Sequence, residues 1–532
     1  MTTHAPLLAG AWRAAPAAAP TLHSVNPATG AALPDTYPVS DWAALEAALL
    51  AARAAQAALL ARPDAAEAVA AFLEAYAVQL EARVDELVEL AHTETALPRE
   101  PRLRTSEFPR TARQLRQAAA AARHGAWRHA TIDAGLNIRS YYAPLDGPVF
   151  VIGPNNFPFA FNAVSGGDFA AAIATGHPVI AKAHPGHLST TRVLAEAAFA
   201  ALQTSSLPAA FVQLIYHLAP EDGLRLVSHP LLGATAFTGS RPVGLSLKAA
   251  ADAAGKPIYL ELSSVNPTFI LPGALAERPA ALVDDYLGSV LMGGGQFCTN
   301  PGLVLLVDNA DSRAFVEAVA ARFAAAKPSV LLSPAAPQHL THAVGELAAH
   351  GAEVLLGGRP VPDTAACFAN TLLRVSGDAF LADPIALQHE AFGPAALMVL
   401  ARDGAQLAAI AETLEGSLTG GFYTHSGADD DALYAHLAPI ARRKVGRLLN
   451  NKLPTGVAVS PAMMHGGPYP SSGHPGFTAV GLPAAMLRFA ALQCFDNVRA
   501  DRLPPELRNP NPTGRLWRFI DGEWTQGDVP SA

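Results

Sequence analysis

The stretch Asp146-Gly147-Pro148-Val149-Phe150-Val151-Ile152-Gly153-Pro154-Asn155-Asn156-Phe157-Pro158 decides how the rest of the chain reads. A Gly-Pro turn opens a short apolar run, and a second Gly-Pro closes it. From there the pattern alternates. Strand candidates at Val149–Gly153, Pro178–Lys182, Phe211–Ile215, Ala234–Thr238 and Ile258–Leu262 are separated by helical runs near 160–174, 188–203, 221–228 and 241–254. Apolar strands alternating with helices predict a parallel sheet covered on both faces. Ligands of such sheets gather at the carboxyl ends of the strands, where Gly153–Pro158 falls.

A second alternating block runs from Pro267 to about Val459, with strand candidates at Thr268–Leu271, Leu303–Val307, Val354–Gly357, Ala396–Leu400 and Gly421–Thr424. The natural boundary between the blocks is Ser264-Val265-Asn266-Pro267. Upstream, residues 1–40 read as turns and short surface strands. Asp41 to about Ala122 reads as three or so alanine-rich helices, punctuated at Pro63-Asp64 and Leu97-Pro98. Residues 125–147 read as an excursion of short strands, and Met463–Gly481 as a loop dense in glycine and proline. The tail segment Trp517–Trp524 either adds a strand or packs on the surface.

At 532 residues the chain exceeds a single core, so two or three domains are expected. A net charge of -8 gives no electrostatic footprint for nucleic acid. The longest apolar runs are interrupted before membrane-spanning length, so no membrane partner is expected. Three cysteines, Cys298, Cys367 and Cys494, make no disulfide framework, and the first residues lack a secretory signal. A reducing, cytoplasmic setting is expected.

Chemistry concentrates at a few positions. Cys298, in Gly293-Gly294-Gly295-Gln296-Phe297-Cys298-Thr299-Asn300-Pro301-Gly302, is either a nucleophile or a small buried hydrophobe. Asn156 either donates its amide to an oxyanion or serves an ordinary turn. Glu261, in an apolar strand, is either a general base raised in pKa by burial or a structural ion-pair member. Lys182 ends a strand, where it either holds a ribose or phosphate or is simply solvated. Gly239-Ser240-Arg241 opens a helix, which suits an anion such as a pyrophosphate, or a plain serine cap. Glu390-Ala391-Phe392-Gly393-Pro394 is an acidic turn whose chemistry residue types alone do not reveal. His184 and His187 have no acidic or cysteine neighbour, so no metal ligand set is expected. No GxGxxG fingerprint follows the first strand.

In order, Pro154-x-Asn156-Phe157-Pro158, Lys182, Phe237-Thr238-Gly239-Ser240, Glu261-Leu262, Gly295-Gln296-x-Cys298 and Glu390-x-Phe392-Gly393-Pro394 resemble the NAD(P)-dependent aldehyde dehydrogenase superfamily. Ala181–Pro185, Gly295–Gly302, His465-Gly466-Gly467-Pro468-Tyr469-Pro470 and the tail from Leu507 to Glu523 are similar to its 2,5-dioxopentanoate (α-ketoglutarate semialdehyde) dehydrogenase branch. Bacterial fatty-aldehyde dehydrogenases share several of these motifs. The resemblance implies an α/β fold with two parallel-sheet domains and a small β oligomerisation arm. Residues 1–124 and 148–264 would form a Rossmann-like dinucleotide-binding domain, and 265–464 the catalytic domain. Residues 125–147 and 465–532 would form the arm and a C-terminal extension, joined in a homodimer or homotetramer.

By the same resemblance, Cys298 attacks an aldehyde, and Asn156 with the Cys298 N–H holds the oxyanion. Glu261 then activates water against the thioester. Lys182 is expected on the adenine ribose, Gly239 and Ser240 at the pyrophosphate, and Glu390 with Phe392 at the nicotinamide ribose. Pro185 stands where many NAD-selective members carry a carboxylate, and a partly protonated His184 beside it would favour a 2′-phosphate. NADP or NAD is therefore expected. Glu261 is followed by Leu-Ser-Ser where Leu-Gly-Gly is common.

The helix preceding the arm, matching Glu107–Arg116, lines the family's aldehyde tunnel. Arg110 and Gln114 would share one of its faces, with Phe157 as a further substrate contact. A guanidinium suits a distal carboxylate; otherwise Arg110 pairs with Glu107 or faces solvent. The expected reaction is oxidation of α-ketoglutarate semialdehyde to 2-oxoglutarate. A medium- or long-chain fatty aldehyde is the alternative, and a CoA-acylating reaction is disfavoured by Glu261.

Overall fold

The computed structural model describes residues 2–530. Asp41 caps the helix Trp42–Leu60 by accepting from the Ala44 N–H. Glu46 and Arg53 interrupt this helix, which reaches membrane-spanning length and hydropathy by composition alone. Alanine content is the reason. Leu45, Ala48 and Leu49 face Phe150 and Ile180 of the first sheet, while Arg53 reaches Asp146 at 2.7 Å. Helices Ala65–Glu81, Val84–Thr95 and Phe108–His124 follow, the last two joined through a wide π-helical turn, Arg99–Glu107.

Strands in the first sheet run in the order Ile258–Glu261, Ala234–Thr238, Val149–Ile152, Val179–Lys182 and Val212–Ile215, all parallel. The chain leaves Val149–Ile152 toward one side and later returns to fill the other. Gly153–Pro158 therefore sits at the switch point of an open α/β sheet. Leu7–Leu8 and Ala11–Trp12 complete the sheet in antiparallel sense. Leu7 and Leu8 are buried, where surface strands were expected. Five of the six pairings in the second sheet are parallel, in the order Glu353–Leu356, Thr371–Ser376, Ala395–Ala401, Leu303–Val307, Thr268–Ile270, Ser417–Tyr423 and Val445–Asn450.

A third sheet holds Ala490–Asp496, Ile138–Pro144, Thr131–Asp133 and the C-terminal hairpin Arg518–Ile520 and Glu523–Thr525. The tail thus adds strands. The helix expected near 160–174 begins only at Gly167. Asn162 bonds Pro158 O and Val164 N and holds the preceding residues in turns.

Candidate active site

Two sheets deliver the central residues. Glu261 ends the strand Ile258–Glu261, and Asn156 lies just past Val149–Ile152. Cys298 lies in the loop before Leu303–Val307 of the second sheet. That loop enters through Gly293, Gly294 and Gly295 with φ of +58°, +67° and +71°. A Cβ on Gly295 would stand 2.1 Å from Gly393 O, so no larger residue fits. Asn266 Nδ2 donates to Cys298 O and Asn300 O, each at 2.9 Å, and fixes the loop behind the thiol. Asn156 Nδ2 donates to Gln296 O at 3.1 Å, using one of its two amide hydrogens. The oxyanion donor and the thiol are thus tied through adjoining backbone. Burial, and then the charge of Glu261, pushes the Cys298 thiol well above its usual range.

The residue missed by sequence reasoning is His465. Its Nε2 lies 3.0 Å from Glu261 Oε1 and 3.5 Å from Cys298 Sγ. Donor atoms of Glu261, Cys298 and His465 all lie within 4.8 Å of one another. Glu261 is therefore paired, yet its Oε2 is buried without a partner. The segment carrying His465 lies along the end of Glu261's strand, where Leu262 N donates to Ser471 O at 2.8 Å and Gly473 N to Leu260 O at 3.0 Å. Gly466 and Gly467 lie hard against other backbone, where a Cβ would meet Phe477 O and Ser417 O respectively at 2.3 Å. His465 stands in a motif already quoted for its family likeness, but the sequence reading assigned it no role.

An apolar wall of Phe157, Phe161, Phe297, Val457 and Phe477 adjoins the thiol. Arg110 is buried against it, its guanidinium carbon 4.9 Å from the Phe161 ring centre and 5.6 Å from that of Phe157. Arg110 neither pairs with Glu107 nor faces solvent. Glu107 is taken by Arg102 and by the N–H groups of Phe159 and Ala160 at 2.8 and 2.9 Å. Arg110 Nε donates to Gln114 Oε1 at 3.1 Å, Gln114 Nε2 to Ala160 O at 3.0 Å, and Arg110 Nη2 is buried with no partner among the described residues. Burial draws this guanidinium down to about 10, still cationic at neutral pH.

At the strand ends opposite, Lys182 Nζ donates only to Ala183 O, at 3.0 Å, and burial lowers it to about 8. Gly239 packs where a Cβ would stand 2.7 Å from the Phe237 ring. Ser240 precedes the helix Arg241–Ala253 without capping it through its side chain, which leaves that hydroxyl for a ligand. Arg241, by contrast, pairs with Glu415 at 3.1 Å. Glu390 and Phe392 border a small cavity with Ser264, Gly295 and Asn300, and burial lifts the Glu390 carboxyl to about 7. His184 departs from expectation. Its Nδ1 accepts from Gly186 N at 3.0 Å, and burial with nearby His187 and Lys182 pushes its pKa well below the usual value. Burial thus disfavours the protonated form on which the expected contact with a 2′-phosphate relied.

Comparison with known proteins agrees with this arrangement. Residues 12–474 match the model of the aldehyde dehydrogenase family. The chain is 41% identical over 515 residues to alpha-ketoglutaric semialdehyde dehydrogenase 2 of Azospirillum brasilense, covering 94% of this chain and 96% of that one. It is 35% identical over 466 residues to alpha-ketoglutaric semialdehyde dehydrogenase of Acinetobacter baylyi, covering 86% and 87%. The fold is similar to lactaldehyde dehydrogenase of Escherichia coli, with a TM-score of 0.79, 22% identity and coverage of 93% and 99%. Members of this family take NAD or NADP. With a cysteine, a carboxylate and an amide converging beside two open α/β sheets, the chain is an oxidoreductase of the aldehyde dehydrogenase family.

Proposed function

We propose that this chain oxidises α-ketoglutarate semialdehyde to 2-oxoglutarate. The observation that carries the substrate is Arg110: a buried guanidinium, bounded by aromatic rings, with one nitrogen unpaired. A buried unpaired donor is costly, and a distal carboxylate would satisfy it in the planar geometry a guanidinium favours. A fatty aldehyde would leave it unpaired. The two semialdehyde dehydrogenase relatives support the same choice.

In the tautomer with its proton on Nδ1, His465 Nε2 accepts the Cys298 thiol proton, and the imidazolium so formed is held by Glu261 through that new Nε2–H. This base is needed because burial keeps the thiol protonated near neutral pH. The thiolate attacks the aldehyde carbon, and Asn156 with the Cys298 N–H stabilises the oxyanion of the thiohemiacetal. Lys182, Gly239, Ser240, Glu390 and Phe392 would hold the dinucleotide, which when bound would supply the hydride acceptor. The fit rests on the spare donors of Lys182 and Ser240 and the close-packed turn at Gly239. Glu261 removes a proton from water attacking the thioester, and the acid leaves. In this reading residues 1–124 and 148–264 bind the coenzyme, 265–464 carry the nucleophile, and the third sheet joins two copies.

Both NAD and NADP are accepted, because Pro185 places no carboxylate against a 2′-phosphate. The test is steady-state rates over a short aldehyde panel with both coenzymes, in wild type and Arg110→Ala. The substitution raises KM for α-ketoglutarate semialdehyde at least tenfold, about 1.4 kcal/mol, and leaves an uncharged aldehyde of similar length nearly unaffected. Equal effects on both aldehydes would remove Arg110 from substrate recognition.

A further inference from the structure

We infer that Glu261, Cys298 and His465 form a site for a divalent transition-metal ion of zinc's class, and that such an ion switches the enzyme off. The donor set is thiolate, imidazole and carboxylate, the three side-chain types that zinc takes. Around a four-coordinate zinc with ordinary bond lengths, neighbouring donor atoms stand roughly 3.2–3.7 Å apart. The 3.5 Å between His465 Nε2 and Cys298 Sγ falls within that spacing. The 3.0 Å between Nε2 and Glu261 Oε1 opens by a few tenths of an ångström once an ion enters between them, with the imidazole proton carried on Nδ1.

Glu261 Oε2 is buried and unpartnered, so the carboxylate has a second oxygen available to an ion. The three donors come from a strand end and two loops, each held by its own backbone bonds. Little ordering remains to be done on binding. Sequence spacing gave no hint of this set, since His465 is remote along the chain from the other two.

The charges balance. Binding breaks the Cys298 S–H bond and forms a metal–sulfur bond, and the proton leaves to solvent. Thiolate and carboxylate then neutralise the two charges of the ion. Arg110 and Arg447 lie close enough to act on Cys298 and oppose a cation, whereas the Glu390 carboxylate favours it. Soft sulfur decides the class of ion: zinc, cobalt or cadmium, and not magnesium or calcium. The bound ion is an inhibitor. It occupies the sulfur lone pair that attacks the aldehyde and the carboxylate that activates water.

The inhibition rests on the proposed catalytic roles, but the binding does not. Binding is therefore tested by spectroscopy, using cobalt(II) as the probe and zinc(II) as its competitor, on the full chain. Wild type is expected to bind one cobalt per chain, with a thiolate-to-cobalt charge-transfer band and the intense visible bands of tetrahedral cobalt. Zinc removes both. Cys298→Ser abolishes the charge-transfer band, and His465→Gln weakens cobalt binding at least tenfold. Cys367→Ser and Cys494→Ser retain the spectrum. Zinc also blocks aldehyde oxidation, and EDTA restores it. Absence of the charge-transfer band, or its survival in Cys298→Ser, would overturn the site. The predicted spectra in a chain that oxidises no aldehyde would instead overturn the proposed reaction and leave the metal site standing.

Discussion

At Cys298, the surroundings that shield a thioester also hold the thiol proton in place. Two neighbours answer the two demands at different times. In the proposed reaction Glu261 is required when water attacks, and His465 before the aldehyde does. Glu261→Gln is therefore expected to release one burst of reduced coenzyme and then stall, because a carboxamide cannot take the proton of water. His465→Gln slows the burst itself and moves the midpoint of Cys298 alkylation by iodoacetamide to higher pH. Stopped-flow absorbance and a pH series of alkylation rates separate the two. An unchanged alkylation profile in His465→Gln would mean that another group ionises the thiol.

The turn Arg99–Glu107 and the helix Phe108–His124 act as one bracket on the Asn156 loop. Arg102 Nη2 donates to Asn156 O at 2.8 Å, and its guanidinium carbon lies 4.4 Å from the Phe157 ring centre. Removing one member of a buried pair costs about 3–5 kcal/mol, because the other charge stays buried. Arg102→Met should therefore lower Tm and kcat together. Adding Glu107→Gln keeps an oxygen for the Phe159 and Ala160 N–H groups, so it should restore much of the Tm but little kcat. Calorimetry and steady-state rates check this; full recovery of kcat would reduce Arg102 to a purely structural role.

How far the sequence could be read also varies by element. The strands of the first parallel block were legible because Gly and Pro punctuate short apolar runs. Val445–Asn450 was not, since it follows the helix Asp431–Lys444 with no turn residue between them. Thr371–Ser376 was also missed. Cys298, Glu261 and Asn156 were legible as ordered motifs. His465 and Arg102 were not, because each acts through an approach between segments distant in the chain.

For the molecule as a whole, the third sheet is the surface we predict to govern association. The strand Ala490–Asp496 lies at its edge, largely exposed, with Leu492 60% accessible. Such an edge invites another strand. We predict that wild type is a homo-oligomer and that Leu492→Asp lowers its mass in light scattering without changing the far-ultraviolet circular dichroism. Unchanged mass would place the subunit contact elsewhere.

The C-terminal hairpin Arg518–Thr525 has a consequence for this association. It pairs with Thr131–Asp133 and so covers the other side of the same sheet. Its outermost strand is only three residues long and begins with Glu523. The sheet thus keeps one long open edge instead of two. A sheet open on both sides can add copies without end, as a fibre does. One open edge, matched to itself across a two-fold axis, uses itself up when the second copy arrives. In the predicted homo-oligomer, the tail would give assembly a stopping point.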